Sequence, residues 1–361
     1  MPVTEIRAAG YRSLRDVRVP LTRLNVLVGA NGCGKTNLYR AMFLLHAAAR
    51  GELARTLTAE GGMPSVLWAG PRKKGPVRLV LGATLDGFDY ELSAGLPEVN
   101  DLPSAFKLDP LLKEENVWFR DGRSSVVALM ERGKSGAEMR DAEGRRASFP
   151  LTLTRSESVL SQIQEPQRFP HLFALRELLG GWRFYHGFRT DDGAPMRQPR
   201  IGSFTPVLAH DGTDLAAALM TILEIGDADG LLDAVRRAFD GAILRIEGRD
   251  EARFRVQLET PGLLRPLEAH ELSDGTLRYL CLLAALLSPR PPALLALNEP
   301  ETSLHPDLLP SLAALIAEAS ARTQVWVTTH SVPLAEAVAA RTGVSPIRLA
   351  RRDGETVVLA D

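Results

Sequence analysis

Cysteine is scarce in this 361-residue chain: Cys33 and Cys281 are its only two. Two thiols cannot frame a disulfide scaffold, and neither stands at zinc-ligand spacing from a histidine. Both are expected as free thiols in a reducing cytoplasm. Long apolar runs are missing too, since none approaches the roughly 18 residues that a membrane span requires. Net charge is almost absent: 43 Lys and Arg against 44 Asp and Glu leave −1. No global field therefore steers the chain to nucleic acid or an anionic surface, and any DNA contact must come from a local patch. There is no G-x-S-x-G elbow and no H-E-x-x-H, and the seven histidines are scattered, which leaves the common serine and zinc hydrolases without support. Met1–Arg7 runs straight into a strand-like pattern, so no signal peptide is expected. Hydrophobic residues at 45% and charged residues at 24% suit a soluble globular protein with a substantial core.

What the chain does contain is Gly29-Ala30-Asn31-Gly32-Cys33-Gly34-Lys35-Thr36, a complete G-x-x-x-x-G-K-[ST] phosphate-binding loop. The apolar run Leu24–Val28 before it reads as a buried strand, and Asn37–Leu45 after it has apolar residues at helical spacing. That strand–loop–helix context is what the motif requires. Its glycines let backbone N–H groups close around phosphates with no Cβ in the way. Lys35 can reach the β and γ phosphates, the Thr36 hydroxyl can ligate Mg²⁺, and the helix N-terminus adds partial positive charge. Cys33 reads as a small residue filling a variable loop position, although its oxidation would obstruct the nucleotide. The chain is expected to bind a nucleoside triphosphate.

Strand patterns run from Val3 to Ala9, from Val17 to Pro20 and through a hairpin across Asp86-Gly87. Shorter ones follow at Asn116–Arg120, Ser125–Glu131 and Ser148–Leu153, with Arg132-Gly133-Lys134-Ser135-Gly136 as an exposed loop. From Pro166 to Gly241 helical spacing takes over, broken by a long Arg- and Pro-containing connection from Arg189 to Pro206. After strand signals at Ala242–Glu247 and Phe254–Glu259, helix and strand alternate from Thr276 to Ala340. Alternation of this kind predicts an α/β class with a largely parallel sheet. The predicted organisation is one split nucleotide-binding domain over 1–361. Its N-terminal part (1–165) holds the phosphate loop and a strand-rich antiparallel lobe, 166–241 form a helical insertion, and 242–361 complete the core.

The run Ala293–Leu297 is a buried strand ending in Asn298-Glu299-Pro300-Glu301, and a carboxylate at such a strand end lies where phosphates bind. Glu299 is the candidate to polarise an attacking water. Leu272-Ser273-Asp274-Gly275-Thr276 opens a helix, and Thr328-Thr329-His330-Ser331 ends the next strand. In this order the four motifs resemble the ABC-type ATPases, in the branch of the RecF-, SMC- and OLD-like proteins. They correspond to Walker A (Gly29–Thr36), signature (Leu272–Thr276), Walker B (Leu295–Glu301) and switch histidine (Thr328–Ser331). Glu299-Pro300-Glu301-Thr302-Ser303-Leu304-His305-Pro306 and the N-terminal Gly10–Val17 are similar to the small RecF-like ATPases.

This resemblance implies an ABC-ATPase-like P-loop NTPase core using ATP and Mg²⁺, with Lys35, Glu299 and His330 catalytic. Thr36 and a Q-loop glutamine, Gln162 or Gln164 with Gln162 favoured, would ligate Mg²⁺. Ser273 and Gly275 would cap the nucleotide of a second copy, so the working unit is expected to be an ATP-dependent homodimer. Tyr11–Ser13 would fall near the adenine. Asn298 stands where the family has an aspartate; it can still accept a hydrogen bond from a metal-bound water, so slow hydrolysis is expected. Partners implied are duplex DNA in repair, met by Arg72-Lys73-Lys74, Arg132 with Lys134, Arg145-Arg146 or the arginines of 189–200. The alternative is a regulatory or defence switch acting on a separate effector protein, because the sequence stops at Asp361 without a nuclease domain. Transport is disfavoured by the 238 residues from Lys35 to Ser273 (273 − 35). The predicted location is cytoplasmic, away from membranes.

Overall fold

Apolar residues at alternate positions make β1 (Val3–Tyr11) and β2 (Leu14–Pro20) half-buried strands, whereas β3 (Leu24–Val28) is buried almost throughout. The computed structural model describes residues 2–71, 77–97, 105–120, 126–134, 136–149, 153–248 and 252–359. Helices α1 (Lys35–Ala49), α2 (Leu53–Ala59) and α3 (Met63–Val66) follow β3. Next come β4 (Leu79–Leu85), β5 (Phe88–Gly95), β6 (Leu111–Arg120), β7 (Val126–Gly133), β8 (Gly136–Arg140) and β9 (Arg146–Ser148). Then α4 (Val159–Gln162), α5 (Pro170–Gly180), β10 (Arg183–Tyr185), β11 (Arg200–Ile201), α6 (Leu215–Ile225) and α7 (Ala228–Ala238) lead to β12 (Ile243–Glu247), β13 (Arg253–Glu259) and β14 (Leu267–Glu268). The C-terminal part is α8 (Asp274–Leu286), β15 (Leu294–Asn298), α9 (Leu309–Arg322), β16 (Gln324–Thr329), α10 (Val332–Thr342), β17 (Ile347–Arg352) and β18 (Glu355–Val358).

Two units emerge, each assembled from separated stretches. One contains Met1–Thr22, Gly29–Trp182 and Ile347–Asp361; the other contains Arg23–Val28 and Arg183–Pro346. The first holds an antiparallel sheet in the order β2-β1-β4-β5-β6-β7-β8-β9. The β4–β5 hairpin turns at Asp86-Gly87 as expected, Gly87 supplying φ +84°. Glu115 is fully buried in this sheet, accepting from Tyr90 Oη at 2.9 Å, Val159 N at 2.8 Å and the Ser158 hydroxyl. Arg132 lies 3.6 Å from Glu115 and donates to the carbonyls of Glu157 and Thr154. The loop expected from Arg132 is thus the end of β7, and this arginine is 5% exposed. Of the strand expected over Ser148–Leu153 only Ser148 falls in β9; residues 150–152, like Ser125 and the Arg72-Lys73-Lys74 cluster, lie outside the described residues.

In the second unit β10, β15, β16 and β3 are parallel neighbours in that order. Every residue of β15 and β16 is buried, as strands covered on both faces should be. Helix α8 contributes Leu277, Leu280, Leu283 and Leu286 to the same core, beside Leu24 and Val26. A small antiparallel sheet, β11-β13-β12 with β14, joins this unit. The helical insertion expected over 166–241 is divided. Helix α5 belongs to the first unit, α6 and α7 to the second, and β10 between them is a strand of the parallel sheet.

Candidate functional site

The loop Gly29–Thr36 leaves β3 one residue after Val28, which pairs with Thr329 at the end of β16. Two of its glycines hold positive φ, Gly32 at +78° and Gly34 at +107°, the latter as N-cap of α1. A Cβ on Gly34 would lie 1.9 Å from Thr356 Oγ1. That hydroxyl meets Ser13 Oγ at 2.7 Å, and Asn37 Nδ2 donates to the same serine at 2.8 Å. A polar chain of Thr356, Ser13 and Asn37 thus packs against Gly34, while Ala30, Asn31 and Gly32 face solvent. Lys35 is 3% exposed and donates to Gly29 O at 2.6 Å and Ala30 O at 3.2 Å, inside the ring an anion would fill. Thr36 is half-buried in the first turn of α1. Cys33, within the loop, is a buried free thiol.

The second unit gathers the other expected groups at one sheet edge. Register pairs Asn298 with Thr328 and Leu297 with Tyr185, so the ends of β10, β15 and β16 align. Asn298 is 3% exposed; its Nδ2 donates to His186 Nδ1 at 2.7 Å and its Oδ1 accepts from Thr328 Oγ1 at 2.6 Å. Glu299 takes a left-handed φ of +50°, its N–H bonded to Thr328 O at 2.8 Å. This turns its side chain out of the strand, and its carboxylate comes 3.7 Å from His330 Nδ1. Glu301 goes inward: Oε1 accepts from His330 N at 3.1 Å, Ser331 N at 3.2 Å and the Thr329 hydroxyl. His330 Nδ1 lies 3.3 Å from the same oxygen, so the imidazole bridges two carboxylates. Oε2 of Glu301 is buried and without a hydrogen-bond partner among the described residues.

Ser273 caps α8 by accepting from Thr276 N at 3.1 Å, and both it and Asp274 are exposed. Gly275 has no room for a side chain, since a Cβ would lie 2.6 Å from Ser303 O. Upstream, Arg265 forks onto Glu271 at 2.7 Å through each terminal nitrogen, holding that carboxyl down at about 2.

Other expected positions fare differently. Gln162 accepts from Thr154 N at 3.0 Å and donates to the carbonyls of Glu157 and Ser158, so its amide braces the 154–158 turn; Gln164 is exposed. Tyr11 is fully buried with its hydroxyl on Glu60 at 2.6 Å, which removes it as an adenine contact. Among the expected DNA contacts, Arg132 and Arg197 are buried, and Arg145, Arg146 and Arg189 pair with Asp141, Glu138 and Asp191. Sequence reasoning missed His186 and the inward role of Glu301, and took Thr328 only as part of the switch-histidine run. Only Glu301 carried a local signal, as the second acid of the Glu-Pro-Glu run.

Among the described residues no cluster of three or more His, Cys, Asp or Glu side chains is arranged to hold a metal alone. Mg²⁺ ordinarily takes one or two protein oxygens and completes its shell with water and phosphates. The Thr36 hydroxyl in a loop shaped around an anion fits that pattern; Asn298, committed on both sides of its amide, offers only a remaining lone pair.

No curated protein matches the sequence. Solved SMC head domains do resemble the fold. One bound to the C-winged helix domain of ScpA gives a TM-score of 0.54 at 17% identity, covering 99% of this chain and 97% of that one. A Pyrococcus furiosus head domain with an extended coiled coil, bound to the C-terminal domain of ScpA, gives 0.53 at 15%, with 99% and 96% covered. The Pyrococcus yayanosii head domain with a coiled coil and joint gives 0.51 at 12%, with 99% and 97% covered. At these identities the likeness concerns the fold, an α/β P-loop NTPase core with a strand-rich antiparallel sheet. The sequence pattern of the family described as "AAA domain, putative AbiEii toxin, Type IV TA system" matches residues 24–335. That span takes in β3, the phosphate loop, the signature turn and the Asn298–Glu301 and His330 edge, and the chain belongs to this family.

Proposed function

We propose that the protein is an ATP-gated switch that binds ATP with Mg²⁺, hydrolyses it slowly and works as a homodimer. The observation that carries this reading is the shared register of β3, β15 and β16, which brings Val28, Asn298 and Thr329 to one sheet edge. From that edge the chain continues into the phosphate loop, Glu299 and His330. On this reading Lys35 leaves the Gly29 and Ala30 carbonyls for the β and γ phosphates. Backbone N–H groups of Gly29–Thr36 hold the remaining oxygens. Thr36, with Gln162 or Gln164 and the free lone pair of Asn298, would hold Mg²⁺, which supplies charge neutralisation at the phosphates. Glu299 orients the attacking water and takes its proton, while His330 faces the γ-phosphate. Glu301 holds the His330 main chain in place. Ser273 and Gly275 of one copy cap the nucleotide of the other.

The 1–361 stretch would act as one split ATPase domain whose output is read by a separate effector protein. Burial of Arg132 and Arg197 and pairing of Arg145, Arg146 and Arg189 favour this over direct action on duplex DNA in repair, which is the second reading. The test is Mg²⁺-dependent phosphate release per subunit across protein concentrations, with and without linear duplex DNA. Turnover rising with concentration but indifferent to DNA supports the effector switch, and stimulation by DNA supports the second reading. Lys35→Ala should abolish nucleotide binding, whereas Glu299→Gln should retain it and lose turnover on the order of 10²–10⁴-fold. No phosphate release at any concentration would reduce the reading to nucleotide binding alone.

A further inference from the structure

Arg197 lies in the long connection before β11, a region of exposed arginines, yet its side chain is only 5% exposed. A buried guanidinium must be fully partnered to be tolerated. Here Nη1 donates to the carbonyls of Ala269 at 3.2 Å, His270 at 3.2 Å and Leu272 at 2.8 Å. Nη2 reaches Asp274 Oδ1 at 2.6 Å, and Nε donates to Thr190 O at 2.9 Å. One rigid fork thus binds both ends of the turn that delivers Ser273 to the N-terminus of α8. The Asp274 side chain is 61% exposed, so the clamp is buried at the arginine and open to solvent where Ser273 and Asp274 emerge.

We propose that Arg197 is a positioning residue for the signature turn. Its fork fixes Ala269–Asp274 so that the Ser273 hydroxyl and the first N–H groups of α8 can meet a nucleotide held by a second copy of the chain. This inference rests on the shared-site dimer proposed above. A planar guanidinium can reach four carbonyls and a carboxylate at once through Nε, Nη1 and Nη2; an ammonium on a flexible stem cannot. A misplacement of about 1 Å at a group contacting the transition state costs on the order of 10²-fold in rate. The clamp therefore acts on kcat, while ATP affinity belongs to the phosphate loop.

The test uses the full chain with two substitutions. Arg197→Lys keeps the buried charge and drops the fork. Asp274→Asn removes the outer ion pair at an exposed position and keeps an oxygen of the same size to accept from Nη2. Amide exchange across residues 269–277 reads the clamp, and concentration-dependent ATP turnover reads what the clamp serves. The expected result is faster exchange in both variants, with kcat down on the order of 10²-fold for Arg197→Lys, less for Asp274→Asn, and little change in KM. Unchanged exchange in Asp274→Asn, or parent kcat alongside faster exchange, overturns the positioning role alone. Parent turnover that does not depend on concentration overturns the shared site and this inference together.

Discussion

Asn298 donates its carboxamide to His186 Nδ1 at 2.7 Å, joining the end of β15 to the residue after β10. With Thr328 on its oxygen, the amide is fixed at both ends. Asn298→Asp would put a full negative charge beside the proposed Mg²⁺ and keep the Thr328 bond. Phosphate release should rise several-fold and saturate at lower Mg²⁺, measured as a metal titration of turnover. A variant with unchanged metal dependence would show that Asn298 does not face the ion.

Gly34→Ala should cost about 1–3 kcal/mol from its left-handed backbone alone. The added Cβ also meets Thr356 Oγ1 at 1.9 Å. The loop should therefore lose nucleotide binding as well as stability. Adding Thr356→Ala should restore part of the melting temperature by removing the Oγ1 and Cγ2 collisions, while a 2.9 Å approach to the Cβ of residue 356 and the φ strain persist. Melting curves with and without ATP separate the two effects.

Removing the Glu115 carboxylate should be more damaging than any surface change. Tyr90, Ser158 and Val159 would lose their acceptor, and Arg132 would be left charged in the interior. Burial already pushes the Arg132 guanidinium down, against the attraction of Glu115. Stranding one partner of such a pair costs about 3–5 kcal/mol. Glu115→Ala should shift the urea midpoint accordingly, and Glu115→Gln, which keeps an acceptor, should shift it less.

Burial pushes the Asp214 carboxyl up, with the Ala209 amide pulling it back in part. A carboxyl raised in the folded state contributes stability below its ordinary range, and that stability is lost as pH rises through the raised value. Asp214→Asn keeps an oxygen for Ala209 N and removes the desolvated charge. The variant should exceed the parent in stability near neutral pH, and the gain should vanish as pH falls below the aspartate range. Denaturation midpoints across that window give the sign directly.

The phosphate loop could be read from sequence because everything that makes it is local: an apolar strand, glycines at the turn, then helical spacing from Asn37. The edge carrying Glu299 and His330 was legible for a related reason, since strands buried on both faces announce themselves as apolar runs with their polar residues at the ends. Strand β10 was not legible: three residues between two helices give no period to count. His186 went unseen with it, because its contact with Asn298 is set by a parallel register across more than a hundred residues of chain. Arg132 and Arg197 read as surface charge, since sequence shows an arginine's neighbours in the chain and not the carbonyls that fold around it.

Strand β3 is laid down early, yet one of its hydrogen-bonding partners is β16, with Leu24 opposite Val325. At about 5–20 residues per second of synthesis, the roughly 300 residues between them keep that strand waiting for about 15–60 s. During this interval Leu24–Val28 is a bare apolar segment with no β16 to join. Any product cut short before Gln324 keeps it so, which makes truncated chains prone to aggregation and places the last step of core assembly near the end of translation.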